Sequence, residues 1–445
     1  MKWALYNLLF GVVWLMLLPG FLMRMARRGG YAARMGDRFA LYPDDVLAKL
    51  RSAKPARGGI ARRDASGHEL PPPSEWVWVH AVSVGEVQVA GQLMREWRAA
   101  EPDARFCFST TSSTGWKMAE REVTDRDVLI YNPLDFPNFV KSALGTVRPR
   151  AVVLTESEIW PVFIREAAKR SVPVYLINAR VSDRSAPRYR IARFLFKDVF
   201  CCFARIFAQS ELDRRRILDA GAPERKVSVD GSFKFDVARR NEAKEKELRG
   251  WLSGAQGRIL LGGSTWPGED AALLRIAAGL KDVTLVIAPR HFEKADAIEA
   301  NIRAAGFECV RRSRGDSVPR DSAKRVVYLA DTTGELMGLY GTADVVFVGK
   351  SLCAHGSQNM IEPCLCGKPT LVGPYTENFR PVMSDLREAD AIIQVADEAQ
   401  LAREITRLFA DTQAAAALGA RATAAVLRRQ GVVAKCVAEI RGALS

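Results

Sequence analysis

Short runs of Val, Ile, Leu and aromatic residues recur along this chain, separated by stretches with helical spacing, and this alternation constrains the fold more than any other feature. In the first half the runs are Trp76 to Ala81, Arg105 to Ser109, Val128 to Tyr131, Ala151 to Leu154, Val174 to Ile177, Arg205 to Ala208 and Lys226 to Val229. In the second they are Arg258 to Leu261, Thr284 to Ile287, Glu308 to Val310, Val326 to Leu329, Val345 to Val348, Thr370 to Val372 and Ala391 to Gln394. Runs that are apolar throughout belong in a parallel sheet covered by helices on both faces. The 445 residues exceed the size of one core, so two such domains are expected. The charged stretch Val237 to Arg249 has no strand signal and reads as a helix and connection. The expected organisation is an N-terminal segment over 1–35, a Rossmann-like domain over 36–236, a linker over 237–256, and a second Rossmann-like domain over 257–445. The final helices are expected to pack back on the first domain. Ala53 to Pro73 is rich in Gly, Pro, Ser and Arg and reads as an exposed loop.

From Ala4 to Met23 the chain is almost wholly apolar, broken by Asn7 and Pro19-Gly20, and Arg24, Arg27, Arg28 and Arg34 come next. That length suits one membrane span, and the arginines place the rest of the chain on the cytoplasmic side. An interfacial segment kinked at Pro19-Gly20 fits equally. A cleaved signal peptide fits poorly, because arginines stand where small residues are needed for cleavage. The net charge of +14 calls for an anionic partner: nucleic acid, an acidic membrane surface or a phosphorylated substrate. Aromatic-interleaved basic stripes are missing beyond Phe233-Lys234-Phe235, which argues against nucleic acid. The eight cysteines lack C-x-x-C spacing, and His291 and His355 lack ligand spacing, so reduced thiols and no metal site are expected.

The polar motifs fall where the apolar runs end, the place at which open α/β sheets collect ligands. Glu86, in H-A-V-S-V-G-E after the first run, is placed to take a proton; a first-turn helix position is the other reading. Glu156 and Glu158 stand after the run ending at Leu154; Glu156 could orient an acceptor, and helix capping remains open for both. If Ser232 to Asp236 is extended, Phe233 and Phe235 share one face and Lys234 presents its ammonium on the other. Gly262-Gly263-Ser264-Thr265 offers backbone amides after a strand, and Pro289-Arg290 offers a guanidinium for phosphate or base. Thr333, Gly334 and Glu335 should open a helix. The loop from Gly349-Lys350-Ser351 to Asn359, Met360, Ile361 and Glu362 reads as a nucleotide-sugar clamp, with amides for phosphate and a carboxylate for ribose. Tandem doubly wound domains with such a clamp describe a glycosyltransferase of GT-B architecture, with a ligand cleft between the domains.

The motifs H-A-V-S-V-G-E, S-T-T-S-S-T-G-W, N-P-L-D-F-P, E-S-E-I-W-P, N-A-R-V-S-D-R-S, G-S-F-K-F-D, G-S-T-W-P-G-E-D, A-P-R-H-F-E, D-T-T-G-E-L and G-S-Q-N-M-I-E-P succeed one another in this order. In number and order they resemble the 3-deoxy-D-manno-octulosonic acid (Kdo) transferases of lipopolysaccharide inner-core synthesis. The resemblance implies Glu86 as base and Glu156 and Lys234 as transition-state stabilisers. It also implies contacts to the cytidine nucleotide from Pro289, Arg290, Thr333, Gly334, Glu335, Asn359, Met360, Ile361 and Glu362. The implied donor is CMP-Kdo and the acceptor a lipid A precursor at the cytoplasmic face of the inner membrane, with inversion and without a cofactor or required metal. The family's donor loop more often reads G-G-S-L and then G-G-H-N, so Lys350, Ser357 and Gln358 depart from it.

Overall fold

The computed structural model describes residues 2–28, 32–56, 62–63, 69–238, 240–318 and 324–444. Within the stretch expected as an exposed loop, Arg62–Arg63 pairs antiparallel with Glu69–Leu70, while 57–61 and 64–68 lie outside the described residues. The chain divides into two compact units: Met1–Phe233 with Gly431–Ser445, and Lys234–Gln430. The stretch 237–256 therefore lies within the second unit, where the helix Glu242–Trp251, capped by the Asn241 side chain, packs on the helix Leu336–Thr342.

The first unit is built on seven parallel strands: β1 (Trp76–His80), β2 (Arg105–Thr110), β3 (Val128–Tyr131), β4 (Ala151–Thr155), β5 (Val174–Ala179), β6 (Arg205–Ala208) and β7 (Val227–Val229). Their order across the sheet is β3-β2-β1-β4-β5-β6-β7. Every residue of β1, β4 and β5 is buried, as expected of strands with helices on both faces. Alternation divides β1 between two cores. Trp76 and Trp78 join Phe163 on one side, and Val77 and Val79 join Val87, Leu93 and Trp97 on the other. The last helix, Val432–Gly442, covers that second side, adding Val433, Val437 and Ile440 to the core and packing on the helix Val84–Ala100. Each such side chain contributes roughly 1.5–3 kcal/mol of burial.

The second unit repeats the plan with β8 (Arg258–Thr265), β9 (Val283–Pro289), β10 (Glu308–Arg311), β11 (Val326–Leu329), β12 (Val345–Val348), β13 (Thr370–Val372) and β14 (Ile393–Gln394). All pairings are parallel and the order is β10-β11-β9-β8-β12-β13-β14. The direction of winding therefore reverses between β1 and β4 in the first sheet and between β8 and β12 in the second. At such a reversal the loops leaving adjacent strands diverge to opposite faces and open a crevice at the carboxyl ends.

The N-terminal segment is one helix, Lys2–Arg28, that continues through Pro19. Its stretch Lys2–Gly20 is long and apolar enough to cross a membrane. One face meets the first unit: Trp3 lies 3.6 Å from the Arg165 guanidinium, the Tyr6 hydroxyl donates to Asp135 at 3.1 Å, and Phe10 and Trp14 pack edge-on against Phe136. Leu8, Leu9, Leu15, Met16 and Leu17 are exposed on the remaining surface.

Candidate active site

β1 and β4 bring the first pair of carboxylates to the reversal point. Ser83 caps the helix Val84–Ala100, its hydroxyl accepting from Glu86 N, and the Glu86 carboxylate reaches back to the start of the same helix. Glu86 Oε2 accepts from Val82 N at 2.8 Å and from Ser83 N at 3.4 Å, while Oε1 accepts from the Ser83 hydroxyl at 3.1 Å. The helix-start reading of Glu86 is thus seen directly. The side chain completes a capping box, and it is a carboxylate held in one place at a crevice. The Thr155 hydroxyl at the end of β4 lies 3.5 Å from Glu86 Oε2 and donates to His80 O at 3.0 Å, tying the ends of β4 and β1 together.

Burial pushes the Glu86 carboxyl up; the charge of Glu158 adds to this, the donors at Val82 and Ser83 oppose it, and Glu156 raises it further. Glu158 accepts from Trp160 Nε1 at 2.9 Å and lies 3.6 Å from Nε2 of the fully buried His80. Because a base works only when ionised, an enzyme using Glu86 should lose kcat/KM as pH falls through a pKa above the ordinary glutamate value of about 4.3. Glu158→Gln removes the larger of the two raising charges and should move this acidic limb to lower pH. A pH profile of the variant in which the limb stays put would rule out this coupling.

Glu156 occupies the turn after β4 with φ of 49°, a conformation that costs a non-glycine residue roughly 1–3 kcal/mol and is held by its surroundings. Its N–H donates to Ile177 O, its carbonyl accepts from Arg180 N, and Asn178 Nδ2 donates to its Oε1 at 3.2 Å. Asn178 lies in the N-A-R-V-S-D-R-S motif, where its sequence context assigns it no role. It is buried, also has positive φ, and accepts from Phe233 N at 3.1 Å through Oδ1, one residue before Lys234.

Lys234 departs from the extended arrangement. Residues Lys234–Val237 form a helical turn, so Phe233 and Phe235 do not share a face. Phe233 enters the core of the first unit and Phe235 that of the second, because each ring is drawn into the nearer apolar cluster. The Lys234 ammonium lies 4.5 Å over the Phe379 ring and donates to Asn378 O at 3.5 Å.

Two expectations for the second unit need correction. Gly262-Gly263-Ser264-Thr265 is not a loop after a strand but the end of β8 itself, with a bulge at Ser264. A Cβ on Gly263 would stand 2.6 Å from the Tyr340 hydroxyl, so close packing against that ring accounts for the glycine. The amides after β12 are likewise not open to a phosphate. Those of Lys350, Ser351, Leu352 and Cys353 all donate to the buried carboxylate of Glu269, which lies in the G-S-T-W-P-G-E-D motif but is assigned no role there. The partners are some eighty positions apart, and no local pattern links them.

The remaining nucleotide candidates sit on loops at the carboxyl edge of this sheet. Pro289 ends β9, and Arg290 N donates to Thr265 O while its guanidinium is exposed. Thr333 and Gly334, the latter with φ of 82°, precede the helix Leu336–Thr342. Glu335 is engaged within the protein. Burial pushes its carboxyl up, but hydrogen bonds from Arg312 and Thr332, with the charges of Arg312 and Lys244, hold it below the usual range. The helix expected after the clamp is short, Ile361–Leu365. Asn359 Oδ1 accepts from Ile361 N and Asn359 Nδ2 donates to Glu362 Oε1 at 2.9 Å; burial pushes the Glu362 carboxyl up against that bond. Met360 and Ile361 are fully buried, and Asn359 already holds the Ile361 amide.

Two doubly wound parallel sheets, with polar side chains gathered at the carboxyl edge of each, make a fold of the GT-B class. The fold is shared with Anabaena Alr3699/HepE solved with UDP (TM-score 0.57, 13% identity, covering 83% of this chain and 99% of that one). The family model for 3-deoxy-D-manno-octulosonic-acid transferase (kdotransferase) matches residues 33–237. A 3-deoxy-D-manno-octulosonic acid transferase of Bordetella pertussis is 34% identical over 351 residues, covering 76% of this chain and 80% of that protein. One from Haemophilus influenzae is 29% identical over 374 residues, covering 82% and 87%. A bifunctional glycosyltransferase/methyltransferase of Fusobacterium nucleatum is 30% identical over 335 residues, and there the chain spans only about half of the relative, 52%. The chain belongs to the Kdo transferase family, glycosyltransferases of lipopolysaccharide synthesis.

Proposed function

We propose that this protein transfers Kdo from CMP-Kdo to the phosphorylated disaccharide of a lipid A precursor, with inversion, on the cytoplasmic face of the inner membrane. The observation that carries this reading is the buried Glu86 carboxylate, pinned at the β1/β4 reversal point and kept basic by burial and by Glu158. In the proposed step Glu86 takes the proton of the attacking acceptor hydroxyl as its oxygen bonds to the anomeric carbon. The bond from that carbon to the phosphate oxygen breaks, and the electron pair leaves with CMP. Lys234 and Arg290 answer the charge that develops on the leaving phosphate, and Glu156, fixed by Asn178, steadies the reacting centre. Asn359 and Glu362, with the adjoining Met360 and Ile361 and the segment Thr333 to Glu335, hold the nucleotide. No cofactor is required for this step.

The N-terminal helix supports attachment to a membrane. Its residues Trp3, Tyr6, Phe10 and Trp14, at helical spacing, face the first unit, while Leu9, Met16 and Leu17 present an apolar surface that water does not accommodate. Lys2 Nζ donates to Phe194 O, bringing the helix start to a segment in which Ile191 and Phe194 are 81% and 67% exposed and Arg184, Arg188, Arg190 and Arg193 are exposed too. Exposed apolar side chains interspersed with arginines along one segment suit an anionic lipid surface, at about 1 kcal/mol per basic residue near it. With one face of the helix already packed on protein, an interfacial seat fits better than a free span.

The test is donor discrimination. Purified protein given CMP-Kdo and a detergent-dispersed lipid A precursor should release CMP and yield a product heavier by Kdo, with no release from uridine or guanosine diphosphate sugars. Turnover with one of those donors and none with CMP-Kdo would overturn the proposal.

A further inference from the structure

At the reversal point of the second sheet, between β8 and β12, a carboxylate of the protein itself occupies the place where a ligand anion would be expected. Glu269 opens the helix Glu269–Gly279 after β8 and is 0% exposed. Its Oε1 accepts from the amides of Ser351 at 3.0 Å, Leu352 at 2.9 Å and Cys353 at 3.4 Å. Its Oε2 accepts from Lys350 N and Trp266 N, both at 2.8 Å. Four consecutive amides of the loop after β12 thus converge on one buried charge. Such a run of N–H groups is an anion-binding concavity, here filled from within. Loop geometry is fitted to this role. Lys350 has φ of 57°, and a Cβ on Gly349 would stand 2.3 Å from Ser264 O, so the loop lies directly against the end of β8. The same turn aligns Lys350 Nζ 4.9 Å over the Trp266 ring, while Ser351 Oγ ties β12 to Gly373 N.

We propose that Glu269 is a positioning residue for the donor: an internal anion that sets the shape of the loop 349–353 so that the loop presents its outer surface and the adjoining Asn359 to Glu362 segment to the nucleotide. The donor phosphate is then bound outside this nest, by cationic side chains, and not by the amides that the motif would suggest. This rests on the reading of the donor as a cytidine nucleotide. A carboxylate at this position holds the loop from within the protein, so ordering it does not have to be supplied by the donor on binding.

The experiment compares Glu269→Ala, Glu269→Gln and Glu269→Leu in the full-length protein. Calorimetric titration with CMP reads the second unit directly, and steady-state rates read KM for each substrate. Glu269→Ala opens a cavity lined by amides and should weaken CMP binding and raise donor KM by about 10–100-fold, the scale on which supporting residues that orient ligand-binding groups act. Acceptor KM should stay within about threefold of wild type, because the acceptor machinery lies elsewhere. Formate at about 100 mM should restore CMP binding to Glu269→Ala by refilling the nest, but not to Glu269→Leu, whose side chain occupies it. If Glu269→Ala does not fold, Glu269→Gln decides, with the same selective rise in donor KM expected from loss of charge. Wild-type CMP affinity in Glu269→Ala, or equal losses for both substrates without a formate response, would overturn the proposal. Absence of CMP binding by the folded wild type would instead sink the donor reading on which it rests.

Discussion

Glu86→Gln should lower kcat for Kdo transfer by about 10²–10⁴-fold while leaving CMP affinity and the melting temperature close to wild type. The choice of glutamine separates the helix capping that Glu86 performs from the proposed role as base. As the fourth residue of the Ser83 capping box it accepts from Val82 N and the Ser83 hydroxyl. Glutamine keeps an oxygen and the length to serve that box, which glutamate and glutamine occupy alike. What it cannot do is accept a proton from an acceptor hydroxyl. A variant that melts like wild type, binds CMP and fails to turn over therefore isolates the base. Glu86→Ala should do both kinds of damage, adding about 1 kcal/mol of lost helix capping to the lost chemistry. Should Glu86→Gln retain most of its activity, Glu86 is a helix cap and the base must be sought elsewhere, with Glu158 the next carboxylate at the same edge.

The second large effect is expected at Lys234. Lys234→Met should reduce kcat by about 10²–10³-fold, with a smaller change in donor KM, because a charge that meets the leaving phosphate matters most when that phosphate is departing. The ammonium stands over the Phe379 ring and within hydrogen-bond reach of the Asn378 carbonyl. Methionine keeps the apolar stem that covers Phe379 and removes only the charge. Lys234→Arg should recover part of the activity and not all of it, since a planar guanidinium cannot occupy the same point. Equal loss in kcat and in thermal stability would assign Lys234 a structural role instead. Stopped assays of CMP release alongside melting curves distinguish the cases.

The central strands are readable because they are runs of buried residues with helices on both faces of the sheet, as at Val152 to Leu154 or Val345 to Val348, and a local pattern suffices to announce such burial. The Ser83 to Glu86 capping box is equally local, three residues apart. What escapes the sequence is long-range. Nothing near Gly262 and Gly263 says that Tyr340 will lie against them and keep them in the strand. Nothing near Lys350 says that its amide will find Glu269 rather than a ligand. The turn at Lys234–Val237 arises because Phe233 and Phe235 are claimed by different cores, which periodicity within five residues does not reveal. Asn178 belongs to the same class: its partners Glu156 and Phe233 are brought together by β5 and by the end of the first unit.

The most direct measurement of the central claim is the anomeric configuration of the transferred sugar, read by nuclear magnetic resonance on product made from CMP-Kdo. Direct attack by a hydroxyl deprotonated at Glu86 gives the configuration opposite to that of the donor. Retention of the donor's configuration would contradict this account, because it would require a step that a single base at the β1/β4 edge does not supply.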